Sequence, residues 1–199
     1  FREKYWFYNA SLWRSFLVQD FLASYKFAYK WVQLFYDNPS MIYLNPVFFL
    51  KGNHYFLESL YMLKYKSNFK KYLNLLEETI ADPKFPVNDN IASLSFLYVY
   101  NNKLNLHILK GTFAESEYLI PEILEKLKKT DVPVLVLINK IDLVDQAFLE
   151  EKVAYWQAIL PNAKIYPLSA LHQFNVDQIM LEIKSLLPEA PPFYDKDQL

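Results

Sequence analysis

Two short polar segments contain the residues of this sequence best suited to chemistry, N-K-I-D at residues 139–142 and S-A-L at residues 169–171. Each follows a run of residues typical of a strand, 132–138 and 164–168. Parallel strands end at one edge of their sheet, where open α/β sheets bind ligands. We therefore expect both segments to line one crevice, in which the Asp142 carboxylate could accept two hydrogen bonds from one ligand.

The two segments resemble the guanine-specificity motifs of GTP-binding proteins, N-K-x-D and S-A-x. Three fixed residue types at about 5% usage each coincide by chance about once in 10⁴ positions, so the first motif is specific. The surrounding stretch, about residues 122–199, is similar to the C-terminal half of the G domain of the bacterial Era GTPase family. The similarity extends over V-A-Y-W-Q-A-I-L-P at 153–161, L-L-P at 186–188 and D-Q-L at 197–199.

The resemblance implies a role for each motif residue. Asp142 would accept hydrogen bonds from the two adjacent donors of a guanine edge, a pair that adenine lacks. Asn139 would support the base and the neighbouring loops, and Lys140 would lay its methylene stem over the base or ribose. Ala170 would offer its backbone N–H to the guanine carbonyl, and Ser169 would brace that loop. The predicted guanine-binding set is Asn139, Lys140, Asp142, Ser169, Ala170 and Leu171.

The same residues have a simpler interpretation, in which Asp142 and Ser169 only satisfy backbone groups of turns. A phosphate-binding loop is not expected within these residues, because such loops need clustered glycines and the sequence has only Gly52 and Gly111. The phosphate loop, switch threonine and D-x-x-G segment of the family precede N-K-x-D, where this sequence has aromatic helices. Since phosphate loop and magnesium carry the catalysis, we expect no GTP hydrolysis, no metal and at most weak binding of GTP or GDP.

Residues 126–199 are predicted to form a βαβα fragment of a P-loop-type G domain with parallel strands, without the KH domain that follows in the family. The continuous apolar run 132–138 is typical of a strand buried on both faces. Strand, helix, strand and helix in this order predict a right-handed parallel crossover. Because the neighbour that this strand has in a whole G domain is missing, one apolar edge is expected to be free, available to the helices or to a second copy of the chain.

The helix ends of this fragment are also predicted from sequence. Asp145 is suited to cap a helix running to about residue 160. Asn175 and Gln178 resemble a capping box for a helix that ends near residue 187. The junction with the preceding residues is expected within one shared helix that kinks near Pro121.

Residues 1–125 are predicted to be helical hairpins. Gly111 stands where a glycine ends a helix, and Thr112 with Glu115 resembles a capping box that opens the next one. The longer predicted helices are 46–65, 67–80 and 90–110. Phe21, Phe69 and Phe113 each open the second helix of a pair, at intervals of 48 and 44 residues.

Residues 111–116, G-T-F-A-E-S, resemble the turn of a tetratricopeptide repeat, although that family has a period of about 34 residues. The resemblance implies a tetratricopeptide-like array over about residues 1–125, whose concave surface binds a protein partner. Trp6, Trp13 and Trp31 are most simply explained by packing between helices.

Charge divides the sequence near residue 130. Residues 1–130 contain 16 Lys and Arg against 12 Asp and Glu, and residues 131–199 contain 5 against 10. The net charge of −1 gives no global indication of nucleic acid or an acidic membrane. Apolar runs stay well below the roughly 18–20 residues of a membrane helix. The lack of cysteine excludes disulfides and fits a reducing compartment, so a cytoplasmic location is expected.

Three functions remain open on the sequence alone. The first is a non-catalytic helical-repeat interaction module fused to a truncated Era-like domain. The second is a guanine-nucleotide-binding protein associated, as the Era family is, with ribosomal RNA and small-subunit assembly. The third is a natural or artificial fusion without selected function. Lys26 and Lys30 lie among aromatic residues that could stack on RNA, but such spacing is more often a core; the three histidines are too dispersed to predict a metal site.

Overall fold

The computed structural model describes residues 1–189, and the chain divides into two compact units. The first comprises residues 1–120 and the second begins at Pro121, a few residues before the domain boundary expected from sequence. Within the described residues the first unit is helical, and the second contains a two-stranded parallel sheet with helices. No helix among them is long and apolar enough to cross a membrane.

The first unit is a series of helices in which each packs on a near neighbour in sequence. Its helices are α1 Arg2–Leu17, α2 Phe21–Tyr36, α3 Ser40–Leu44, α4 Pro46–Met62, α5 Lys66–Ala81 and α6 Asp89–Lys110. α1 packs on α2, α2 on α4, and α4 on both α5 and α6. The three longer helices predicted from sequence correspond to α4, α5 and α6, and Pro46 occupies the first position of α4, where its missing N–H costs nothing.

Three helices of this unit end in the same backbone conformation. Gln19, Lys64 and Gly111 follow α1, α4 and α6 with φ values of 58°, 57° and 74°, in the left-handed region. In each case the next residue donates its N–H to the carbonyl five residues back, as Thr112 does to His107 at 3.0 Å. This is the Schellman ending, and only one of its three left-handed residues is a glycine. The same ending therefore recurs after three helices, although the helix predicted to open at Phe113 is replaced by the 3₁₀ segment Ala114–Leu119.

The capping box predicted at Thr112 and Glu115 is wrong. The Thr112 N–H belongs to the ending of α6, and its hydroxyl lies 2.9 Å from Nδ1 of His107. A 3₁₀ segment, Ala114–Leu119, follows, and α7 begins at Ile120. The kink expected near Pro121 is also not observed, because this proline lies in the first turn of α7, where it interrupts no hydrogen bond.

The core of the first unit is centred on the indole of Trp31, which is fully buried on α2. A methyl group at Gly52 of α4 would lie 2.7 Å from Nε1 of that indole, so α2 can approach α4 this closely only at a glycine. The same ring contacts Tyr5 of α1 and Tyr55 of α4, with ring centroids 5.0 and 6.1 Å apart. One side chain thus joins three helices.

A polar contact lies within the packing of α4 and α6. The ring of His54 stacks on Tyr98, with centroids 4.3 Å apart, and its Nδ1 lies 3.4 Å from the amide nitrogen of Asn102. That amide also donates to the Tyr98 carbonyl at 2.7 Å. Burial lowers the pKa of His54 from 6.5 to about 4, because the charged ring would lose its hydration.

We expect this histidine to make the first unit less stable in acid. The native state keeps the ring neutral down to about pH 4, whereas the unfolded chain takes up a proton near pH 6.5. The free energy of unfolding should therefore fall as pH decreases through this window, by about 3 kcal/mol from this group. His54→Phe retains a ring on Tyr98 and should remove this pH dependence from the free energies of unfolding measured with urea between pH 6.5 and 4. The control variant His172→Gln changes an exposed histidine and should retain the pH dependence. Equal pH dependence in wild type and His54→Phe would contradict the assignment.

The second unit contains one parallel strand pair and its flanking helices. Its elements are α7 Ile120–Lys128, β1 Leu135–Ile138, α8 Gln146–Ile159, β2 Lys164–Pro167 and α9 Val176–Leu186, with a 3₁₀ turn at Ile141–Leu143. Leu135 pairs with Lys164 and Ile138 with Pro167, which confirms the parallel pairing predicted from sequence. Asp145 caps α8 as predicted, since its carboxylate accepts the Phe148 N–H at 2.8 Å.

Two expectations for this unit are wrong. The strand predicted over 132–138 begins only at Leu135, and Leu137 is 47% exposed, so the strand is not buried on both faces. Among the described strands it pairs only with β2, which leaves its other edge uncovered by any of them. Asn175 forms no capping box, because it adopts a left-handed φ of 61° and its amide donates to the Pro167 carbonyl at 2.8 Å.

Candidate functional site

The two polar segments begin side by side because their strands are hydrogen-bonded neighbours. The N–H of Leu168, just after β2, donates to the carbonyl of Ile138 at 2.9 Å. Residues 139–142 and 169–171 therefore both begin at the same end of the sheet, next to each other. A longer contact of 3.4 Å, from the Ile141 N–H to the Leu168 carbonyl, continues the association beyond the strands.

Asn139 joins the two segments through one oxygen atom. Its Oδ1 accepts the N–H of Lys140 at 2.7 Å and the N–H of Ala170 at 3.1 Å. The first bond stabilises the left-handed conformation of Lys140, whose φ is 66°. The second differs from the role implied by the resemblance, because the Ala170 N–H that was expected to face a guanine carbonyl donates to Asn139 in this structure.

Asp142 lies in the 3₁₀ turn Ile141–Leu143 and presents an ionised carboxylate. Hydrogen bonding to Ser169 lowers the pKa of Asp142 from its ordinary value, with smaller contributions from the charges of His172 and Lys140. One carboxylate oxygen lies 3.9 Å from Nε2 of His172, and the Asp142 side chain is 21% exposed. An ionised carboxylate only accepts hydrogen bonds, so it suits a ligand edge made of donors.

Ser169 is the buried anchor of the second segment, only 2% exposed. It exchanges two backbone hydrogen bonds with Phe174, at 3.3 and 3.0 Å, and its hydroxyl accepts the His172 N–H at 3.3 Å. These bonds close residues 169–174 into a compact loop. Leu171, at the outside of the loop, is 81% exposed, and the structure does not bring it to the other motif residues.

Three residues of this region are not in the predicted set. His172 faces the Asp142 carboxylate, Phe174 closes the loop, and Asn175 ties the start of α9 to the end of β2. Only the position of His172 had a usable signal, because the residue three positions after a serine can donate its backbone N–H to the serine hydroxyl across a turn. The bonds of Phe174 involve only its backbone, which no side-chain motif indicates.

The arrangement presents an acceptor carboxylate at the end of the sheet, which suits the donor edge of a ligand. The second unit contains neither glycine of the chain, so it has no glycine-rich phosphate cradle of its own. Within residues 1–189, no three His, Asp or Glu side chains are placed to hold a metal ion. A cavity of about 660 Å³ in the second unit lies where β1 begins and α8 ends, at the opposite end of the strands from both motifs.

Comparison with known proteins adds no assignment. No model of a protein family matches the chain. No solved structure matches it either. The Era-like and tetratricopeptide-like resemblances therefore stay predictions from the sequence.

The two motif residues with the clearest contacts should differ in their effect on stability. Asn139→Ala removes the shared acceptor of the Lys140 and Ala170 N–H groups, and should lower the local stability of the loops by about 1 kcal/mol. Asn139→Asp keeps an acceptor oxygen and should retain most of the stability of the loops. Asp142→Ala should leave folding nearly unchanged, because Asp142 lies on a loop. Hydrogen exchange of the Ala170 amide measures the bond directly. A large loss of stability in Asp142→Ala would show that this residue is structural.

Proposed function

We propose that this chain is a non-catalytic interaction module, in which the helical array of the first unit binds a protein partner, joined to a truncated Era-like domain that retains only guanine-recognition loops. The observation that carries the proposal is the aromatic surface between α1 and α4, where Tyr5 belongs to the core but Trp6 and Trp13 stay exposed. Tyr5 packs on Phe48 with centroids 4.4 Å apart, and Trp13 packs on Tyr55 at 5.3 Å. From the first pair to the second the residue number increases on both helices, so α1 and α4 run parallel.

The outer side of α1 carries aromatic residues that the packing of the array leaves uncovered. Trp6 and Trp13 are 59% and 47% exposed. Together with Ala10 and Leu17 they recur at spacings of four, three and four residues, which places them on one stripe of the helix. Large exposed aromatic side chains are typical of protein-binding surfaces and supply most of the binding energy where they are buried by a partner.

A peptide-display selection against the full-length chain tests this function. We expect peptides to be enriched on wild type, and Trp6→Ala together with Trp13→Ala to abolish their binding without unfolding the array, since both rings are largely exposed. Hydrogen exchange with a selected peptide should protect α1 and α4. A selection that enriches no peptide over the doubly substituted control would remove the proposed function.

The geometry of the second unit favours a second candidate, guanine-nucleotide binding linked by family resemblance to ribosomal RNA. Its support is the placement of both motifs at the same end of the strand pair and the lowered pKa of Asp142. Two charge-assisted hydrogen bonds contribute about 3–6 kcal/mol before the cost of association, which is about 4–15 kcal/mol. We therefore expect dissociation constants no tighter than about millimolar.

Isothermal titration with GTP, GDP and ATP tests this candidate. GTP and GDP should bind with similar weak affinity, because the loops contact the base, and ATP should not bind. Asp142→Ala should remove the binding while the fold remains intact. Absence of heat with millimolar guanine nucleotide, or equal binding of ATP, would reject the candidate.

A further inference from the structure

We infer that His172 donates a hydrogen bond from Nε2 to the carbonyl oxygen of a guanine base bound at Asp142, and so helps to select that base. This inference rests on the second candidate function, because it adds a contact to the same loops. The resemblance gives this role to the Ala170 N–H, but in the structure that group donates to Oδ1 of Asn139 at 3.1 Å. A base carbonyl left without a donor would lose affinity, so the site requires another one.

The His172 ring faces the carboxylate that would hold the base. Its Nε2 lies 3.9 Å from one carboxylate oxygen of Asp142, which is too long for a hydrogen bond between the two side chains. Adjacent atoms of one ligand edge can therefore bond to both. We assign the proton of the neutral ring to Nε2, because the negative charge of Asp142 faces this nitrogen, and Nε2 is then a donor.

One serine positions both side chains. The Ser169 hydroxyl accepts the His172 N–H at 3.3 Å and also bonds to Asp142, which lowers the pKa of that carboxyl. Backbone hydrogen bonds between Ser169 and Phe174 close the loop that carries His172. The His172 side chain is 64% exposed, so a ligand can reach its ring. The backbone of the donor residue is thus fixed while its ring stays accessible.

The order of these groups matches guanine. The hydrogen-bonding edge of guanine carries the exocyclic amine, the ring N–H and the carbonyl oxygen, which are two donors followed by an acceptor. The oxygens of Asp142 can accept from both donors, and Nε2 of His172 stands beside that carboxylate, on the side of the carbonyl. Adenine offers a single amino group on this edge, so it would leave one carboxylate oxygen without a ligand donor. Guanine presents the same edge in a free nucleotide and in a base of single-stranded RNA.

The test removes the donor and the carbonyl separately in the full-length chain. Chemical-shift titration by NMR measures dissociation constants in the millimolar range expected for GDP. His172→Phe keeps an aromatic ring without a donor and should weaken GDP binding about fivefold, the loss expected from one hydrogen bond. His172→Gln, whose side-chain amide can donate, should restore most of the affinity. 6-Thioguanosine diphosphate has sulfur, a weaker acceptor, in place of the carbonyl oxygen; it should bind wild type more weakly than GDP and bind His172→Phe equally.

Two further arms give the control and the source of the base. His107→Phe makes the same substitution at a histidine of α6 and should leave the affinity for GDP unchanged. The single-stranded RNAs U-U-G-U-U and U-U-A-U-U place guanine or adenine in one otherwise constant strand. A loss in His172→Phe that is confined to GDP identifies a free nucleotide as the ligand, and a loss confined to U-U-G-U-U identifies a base of RNA.

The outcomes separate this inference from the candidate function on which it rests. Guanine binding that weakens in His172→Phe and recovers in His172→Gln supports the contact. Guanine binding that is unchanged in His172→Phe, or a preference for GDP over the thio analogue that persists in this variant, would overturn the inference and leave the guanine-binding candidate standing. No binding of any guanine ligand, or equal binding of ADP, would overturn both.

Discussion

The contact between the Trp31 indole and the backbone of Gly52 sets the geometry of the first unit. The ring lies so close to α4 that no β-carbon fits between them, and it also touches aromatic rings of α1 and of α4 itself. The ring therefore lies beneath the aromatic surface between α1 and α4, which depends on it for its depth and spacing. A residue that looks like ordinary core packing in the sequence thus supports the surface to which we assign binding.

The second unit depends on a different kind of link, in which one amide oxygen of Asn139 accepts from both loops. Its sheet has only two strands in the described residues, and few side chains are buried around it, chiefly Leu160, Ala163, Leu168 and Ile179. A two-stranded sheet cannot bury both faces and both edges, so Leu137 stays partly exposed. The sequence leaves open two ways to cover this edge, by the helices of the first unit or by a second copy of the chain.

The sequence predicted those features that local chemistry controls. Gly111 was expected to end a helix and does so with a left-handed φ, and Asp145 caps α8. Gln19 and Lys64 end helices in the same way but could not be predicted, since residues with a β-carbon seldom adopt this conformation. The two motif segments were expected to meet because parallel strands end together, whereas the bond from Ala170 to Asn139 depends on tertiary geometry. The strand was predicted too long because an apolar run does not reveal which neighbours will cover it.

The recurring helix ending at Gln19, Lys64 and Gly111 makes the first unit modular. Each ending reverses the chain with the same few bonds, which are local and involve no residue of another hairpin. In such arrays stability is close to a sum of hairpins and their nearest-neighbour contacts. Duplication or loss of one helical segment between two such endings would therefore lengthen or shorten the first unit by a fixed step.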